Sequence, residues 1–260
     1  MSLGLFSFAI GLYYFSCKQY RMMLFAIIAT LLGIFGSILS TARGGWIGLP
    51  FLLCFVLFSY RQYLSKKIGL FLSVLFVLLI TAMAITPKTK LVSRVTEAYT
   101  EVQQYFSPEE QQEKTSVGAR LELWKSALLM VKEKPVLGLG SAGATQKRQL
   151  QNQEGIISEY AASFTHAHNQ YLDNLSKLGF LGLTALLAVF FVPLYHFYQK
   201  RSVVDKTQHL VATLAVIHII SVMFYSLTQA FLTHNSGHIF YFFLIFIFYS
   251  LLKDKNQSLS

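Results

Sequence analysis

Charge is what this chain of 260 residues has little of: 13% of its residues are Asp, Glu, Lys or Arg, against 54% that are hydrophobic. Soluble domains carry about 25% charged residues, so a wholly water-facing protein is excluded. There are only two cysteines, Cys17 beside a basic loop and Cys54 within an apolar run, which excludes a disulfide framework. The opening MSLGLFSFAIGLYYF has neither a basic n-region nor a small-residue cleavage site and does not read as a signal peptide. No internal repeat or low-complexity tract stands out.

Long apolar runs are what the chain has instead. Crossing a hydrocarbon core of about 30 Å takes about 20 helical residues, and runs of that order lie at 22–40, 68–86, 179–198 and 210–230. Shorter ones lie at 1–15, 44–60 and 237–252, so seven spans are expected, four before and three after a large segment at 87–178. The first run barely spans at 1.5 Å per residue, which predicts that the chain is the later part of a longer one.

The net charge of +10 is distributed in a way that argues against nucleic acid as a partner. The loops at 16–21, 60–67 and 199–209, with the tail at 253–260, hold ten cations and only two acids, Asp205 and Asp254. The 87–178 segment is nearly balanced, with eleven cations and ten acids. By the positive-inside rule the basic loops and the tail are cytoplasmic, and 41–45, 87–178 and 231–236 face outward.

Within the large segment, Ser107-Pro108-Glu109-Glu110 has the form of a helix start, with an N-cap, a Pro at the first helical position and a capping-box Glu. A second helix follows, in which Leu121, Trp124, Leu128 and Val131 recur at helical spacing before Pro135 ends it. That stripe is expected to pack on the helix bundle, or else to lie on the bilayer interface. The GLGSAG at 138–143 matches the dinucleotide fingerprint in form. The fingerprint needs a strand before it, a helix after it and an acid about 20 residues on, and nothing here reads as a βαβ unit. A turn is the plain reading, and a loop whose backbone N–H groups approach an anionic ligand is the other.

His166 and His168 crowd together in SFTHAHNQYLDNLSKLGFLGL, just before the run at 179–198. No cysteine or carboxylate cluster accompanies them, so no metal site is predicted. A general base, a hydrogen-bonding role, or capping of the next helix fits imidazoles there. Arg43, in STARGGWIGL, is the only charge in the two short outward loops, with Gly44 leaving its surroundings open. A cation at that depth is either functional or snorkels to lipid phosphate. Arg120 is expected to open a helix, where the dipole also favours anions, or else to be a solvated surface residue. His218, inside LAVIHIISV, is expected to hydrogen-bond from helix to helix.

SILSTARGGWIGL, GARLELWKSALLMVKEKPVLGLG and HAHNQYLDNLSKLGFLGL, in that order around one large outward segment, resemble the O-antigen ligase and polymerase superfamily of bacterial inner membranes, its O-antigen ligases above all. The resemblance runs from about residue 22 to 240. It implies an all-α polytopic membrane helix bundle with one large, mainly helical periplasmic loop, cut from a longer protein of about twelve spans. It also implies a glycosyltransferase in lipopolysaccharide biosynthesis that inverts the sugar centre without metal or cofactor. The donor would be a glycan on undecaprenyl diphosphate and the acceptor a hydroxyl of lipid A-core, at the periplasmic face and among membrane lipids.

By motif match, Arg43 and Arg120 stand where the family has two diphosphate-binding arginines, and His168 where it has its essential histidine. The assignment is chemically coherent. Two guanidinium groups can bind the leaving diphosphate bidentately, and an imidazole can take the proton of the attacking hydroxyl. His166 and Asn169 are read as contacts to the acceptor or supports of His168, with Gly44 and Tyr171 completing the substrate-binding set. Asp173 lies about 140° around a helix from His168 and is a poor partner for that ring. A polymerase of the same superfamily and a protein O-oligosaccharyltransferase remain open. A transporter, which would gather its polar residues near the bilayer midplane, is disfavoured because the candidate charges gather at the outer face, with His218 the main exception.

Overall fold

The computed structural model of the chain describes residues 1–39, 43–65, 67, 68, 70, 74, 81, 91–106, 115–201 and 205–252. These residues form helices and turns, with no strand among them. In chain order the α-helices are α1 (Ser2–Ser16), α2 (Tyr20–Leu39), α3 (Leu49–Ser59), α4 (Leu91–Phe106), α5 (Ser116–Glu133), α6 (Gly140–Gln153), α7 (Glu159–Ala162), α8 (Gln170–Lys200), α9 (Lys206–Thr228) and α10 (Asn235–Leu251). Short 3-10 turns at Arg43–Gly48 and Phe231–Thr233 precede α3 and α10.

Among the described residues three helices are long and apolar enough to cross a membrane: Tyr20–Ser37, Gln170–Lys200 and Lys206–Thr228. Three apolar helices are shorter, Ser2–Ser16, Trp46–Ser59 and Asn235–Leu251. The run expected as a span at 68–86 lies outside the described residues except at Ile68, Leu70, Val74 and Thr81, and the helix start at Ser107-Pro108-Glu109-Glu110 lies wholly outside them. The run expected at 44–60 divides, because Pro50 in the first turn of α3 makes a start there and the glycine-rich Arg43–Gly48 coils more tightly.

The chain forms two compact units, Met1–Gly69 with Leu187–Ser260, and Leu70–Leu186. In the first, α9 is the central helix, with buried residues all round its circumference from His209 to Ser226, packed by α1, α3 and α10. A helix apolar all round belongs in the middle of a bundle. Its one strongly polar ring near mid-length, His218, is fully buried, and its Nε2 lies 3.1 Å from the carbonyl oxygen of Tyr241 on α10. That is the helix-to-helix hydrogen bond expected for it. Tyr241 in turn donates its hydroxyl to Val189 on α8 at 2.7 Å, so three helices are tied through one aromatic pair. α1 and α2 approach closely at Gly4 and Gly33, where a Cβ on Gly33 would lie 2.8 Å from the Gly4 Cα. Small residues at such a crossing are how apolar helices gain packing contact in lipid.

The second unit is built on α5, which packs against α4, α6 and α7. Its buried face is Ala119, Leu123, Ser126, Ala127 and Met130, whereas Leu128 is half exposed. The stripe read from the sequence is therefore displaced around the helix. The true face alternates the small Ala119, Ser126 and Ala127 with the large Leu123 and Met130, and Leu123 joins Ile157, Ala161 and Ala162 in the core. α6 is not expected from the sequence, and its first residues, Gly140–Gly143, belong to the GLGSAG stretch whose plain reading is a turn. Its inward residues are Ala144, Arg148 and Gln151, so a helix with a polar buried face has no apolar period to betray it.

Candidate active site

The two histidines lie on the short connection from α7 to α8. Its start is tied down by Phe164, which packs on the Leu123 and Ile157 core and meets the His168 ring edge-on at 4.9 Å between centroids. His168 has φ of 48°, a left-handed conformation uncommon for a side-chain-bearing residue. This turns the chain sharply into α8 and folds the two imidazoles together, their centroids 4.3 Å apart and nearly perpendicular. The backbone N–H of His168 donates to His166 Nδ1 at 3.3 Å. That bond assigns the remaining ring proton of a neutral His166 to Nε2.

The peptide between the histidines is held on both sides. Trp124, on α5, donates its Nε1–H to the Ala167 carbonyl at 3.0 Å. Asp173, one turn into α8, accepts the Ala167 N–H at 3.0 Å through Oδ1. The second Asp173 oxygen takes Lys177 Nζ at 2.8 Å, with Asp173 nearly fully buried. Lys177 Nζ and the buried Arg148 guanidinium both donate to the Thr165 carbonyl, each at 3.0 Å. Burial lowers the Arg148 pKa from its ordinary value, and the nearby Asp173 charge opposes that shift. Residues 165 and 167 thus have their backbone groups fixed by charged or aromatic partners, the arrangement that holds a catalytic side chain in place. Sequence reasoning missed Trp124, Arg148 and Lys177 as parts of this arrangement. It set Asp173 aside because it tested for contact with a ring, and the contact is with a peptide.

Asn169 caps α8. Its Oδ1 accepts the N–H groups of Tyr171 at 3.0 Å and Leu172 at 3.1 Å, so its side-chain carbonyl is committed to the helix start. Tyr171 is half-buried in the first turn of α8. Arg120 does not open its helix. α5 starts at Ser116, with Thr115 as N-cap accepting from Gly118 N at 3.0 Å, and Glu101 of α4 accepts from Val117 N at 2.9 Å. The anion-binding capacity of that helix start is taken up by a protein carboxylate. Arg120 itself is half-buried one turn before Trp124, so the two share a face, with Cβ atoms about 5–6 Å apart. Arg43 and Gly44 open the 3-10 turn of the other unit, and for both the structure describes the backbone only. Among the described residues no group of three or more His, Cys, Asp or Glu side chains stands close enough to hold a metal ion.

The GLGSAG stretch has a structural task. α8 is broken at Gly179, whose φ of 65° and ψ of −164° belong to a region essentially reserved for glycine. The break frees the N–H groups of Phe180 and Leu181, and these donate to Pro135 at 2.8 Å and Val136 at 3.2 Å. In return Leu139 N donates to the freed Ser176 carbonyl at 3.1 Å. A Cβ on Gly138 would collide with the Lys177 backbone, and one on Gly179 with the Val136 carbonyl. So PVLGLG and KLGFLGL, 41 residues apart at these two glycines, are one docked unit.

The family model described as O-antigen ligase matches residues 28–187, which include both histidines, Arg43, Arg120 and the docked glycines. The chain belongs to the O-antigen ligase family. A relative in Haemophilus influenzae, described as an uncharacterized protein, is 37% identical over 242 residues, covering 93% of this chain and 60% of the relative. The chain thus spans about 60% of the length of the curated relative it matches. With the family and the apolar helices together, the protein is an all-α membrane protein of the O-antigen ligase family.

Proposed function

We propose that this protein is the catalytic part of a glycosyltransferase that moves a glycan from undecaprenyl diphosphate to a hydroxyl of lipid A-core at the periplasmic face of the inner membrane. One observation carries the reading: the peptide between His166 and His168 is clamped from both sides by Trp124 and Asp173, directly before a helix long and apolar enough to cross a membrane. Rigid placement of an imidazole beside a lipid-borne donor is what proton abstraction from an acceptor hydroxyl needs.

In the proposed step His168 takes the acceptor hydroxyl proton, and the acceptor oxygen bonds to the anomeric carbon. The bond from that carbon to the diphosphate oxygen breaks, and undecaprenyl diphosphate leaves with the electron pair. Displacement in one step inverts the centre. Arg120, one turn from Trp124, stabilises the negative charge growing on the leaving diphosphate, for which fixed cations are effective. For Arg43 and Gly44 a role toward the diphosphate rests on their motif match alone. His166, fixed as an Nε2–H donor, and the hydroxyl of Tyr171 are suited to acceptor hydroxyls.

The test is reconstitution of the protein with labelled undecaprenyl-diphosphate glycan, with and without lipid A-core. Label arriving on lipid A-core supports the ligase. A ladder of longer lipid-linked glycans without acceptor would replace it with a polymerase, and label on protein hydroxyls with an oligosaccharyltransferase. Folded, reconstituted protein that transfers label to none of these overturns the reading and returns transport to the front.

A further inference from the structure

Lys132, Glu133, Lys134, Pro135, Val136 and Leu137 are all exposed, and the last three make an apolar tip after the end of α5. Val136 is 63% and Leu137 68% exposed, and Phe180 and Leu181, to which this tip is hydrogen-bonded, are 54% and 63% exposed. Four large apolar side chains from two segments therefore form one surface around the α8 break. We infer that this surface is a membrane-seated wedge: the Pro135–Leu137 tip dips into the lipid leaflet from which α8 emerges, although it belongs to no span.

Three observations converge on lipid as the occupant. The first is continuity: Phe180 and Leu181 begin the apolar part of α8, a candidate span with only 22% of its most apolar stretch buried, so the wedge extends an apolar surface that the described residues leave uncovered. The second is backbone chemistry. Non-helical chain is tolerated at membrane depth only where its polar groups are satisfied. Here Pro135 has no N–H, its carbonyl and that of Val136 accept from Phe180 and Leu181, and Gly138 N and Leu139 N donate to Lys134 and Ser176; the N–H groups of Val136 and Leu137 are not among these bonds, so the tip seats at the headgroup level, where water and phosphate can accept from them. The third is charge. Lys132 and Lys134 precede the apolar tip, with Glu133 between them paired to Lys147, and their long stems can lie along apolar surface with the ammonium groups among anionic headgroups. The consequence is positional. The helix that bears Asp173 and is capped by Asn169 starts nine residues before the break, a rise of about 14 Å at 1.5 Å per residue. The wedge would fix the base of that post in the leaflet, whichever acceptor the enzyme serves.

The experiment uses the whole chain with Cys17→Ser and Cys54→Ser and a single nitroxide attached at Leu137→Cys. The labelled protein is reconstituted in phosphatidylethanolamine and phosphatidylglycerol vesicles. Collision of the label with oxygen and with a water-soluble nickel chelate is read by power-saturation spectroscopy, with a label at Glu154→Cys as the aqueous reference. The wedge predicts oxygen accessibility severalfold above that of nickel at position 137 and the reverse at 154. Nickel accessibility at 137 equal to that at 154 overturns it, as does shielding of 137 from both, which would mean protein covers the tip. Should Leu137→Cys fail to fold, Val136→Cys gives the same reading, and neither result depends on glycan transfer.

Discussion

Asp173 Oδ1 accepts the backbone N–H of Ala167 at 3.0 Å, so a carboxylate in the first turn of α8 fixes the peptide that joins the two histidines. The same carboxylate holds Lys177, and Lys177 holds the Thr165 carbonyl. One buried acid thereby organises a connection whose side chains are the candidate machinery.

Asp173→Ala leaves the Ala167 N–H and Lys177 without their partner. Small misplacement of a catalytic group lowers rate by about 10²-fold, so the variant is expected to lose about that much in kcat with KM little changed. Asp173→Asn, which keeps an acceptor oxygen, is expected to retain more. Steady-state transfer kinetics on size-exclusion-purified protein check both.

Gly179→Ala places a Cβ against the Val136 carbonyl in a backbone region that only glycine adopts freely. Strain of that kind is on the order of 1–3 kcal/mol before the collision is counted. The folded fraction surviving a heat step, followed by fluorescence-detected size exclusion, should fall sharply. Gly36→Ala is the control: nothing lies within 4 Å of a Cβ there, and alanine is favoured over glycine in a helix by about 1 kcal/mol.

Asn169→Ala removes an N-cap, worth about 1 kcal/mol, while Asn169→Asp and Asn169→Ser keep a capping oxygen. Heat resistance is expected to drop for Ala alone. If activity follows the same order, the cap is what the site needs from Asn169; if Asp and Ser are stable but inactive, its amide also touches substrate.

Much of this was legible in the sequence. Apolar run length gave helices where α2, α8 and α9 lie, and the burial of His218 against another helix followed from the cost of a lone polar ring there. α6 escaped because its inward residues include Arg148 and Gln151, and a polar face has no hydrophobic period. α5 starts four residues before Arg120 because Thr115 caps it, and a threonine is too common in loops to mark a helix start without an apolar period after it. The roles of Asp173 and Trp124 were invisible because both act on the Ala167 backbone, which every residue type carries. The docking of Gly138 on Gly179 was out of reach for the same reason: the bonds run between main chains.

The most direct test of the account is the transfer rate of His168→Ala, with and without added imidazole, on protein shown to be folded. General-base catalysis is worth about 10²–10⁴-fold, so the account predicts a fall in that range, with part of the rate restored by imidazole. A His168→Ala protein that transfers glycan at the wild-type rate would contradict it.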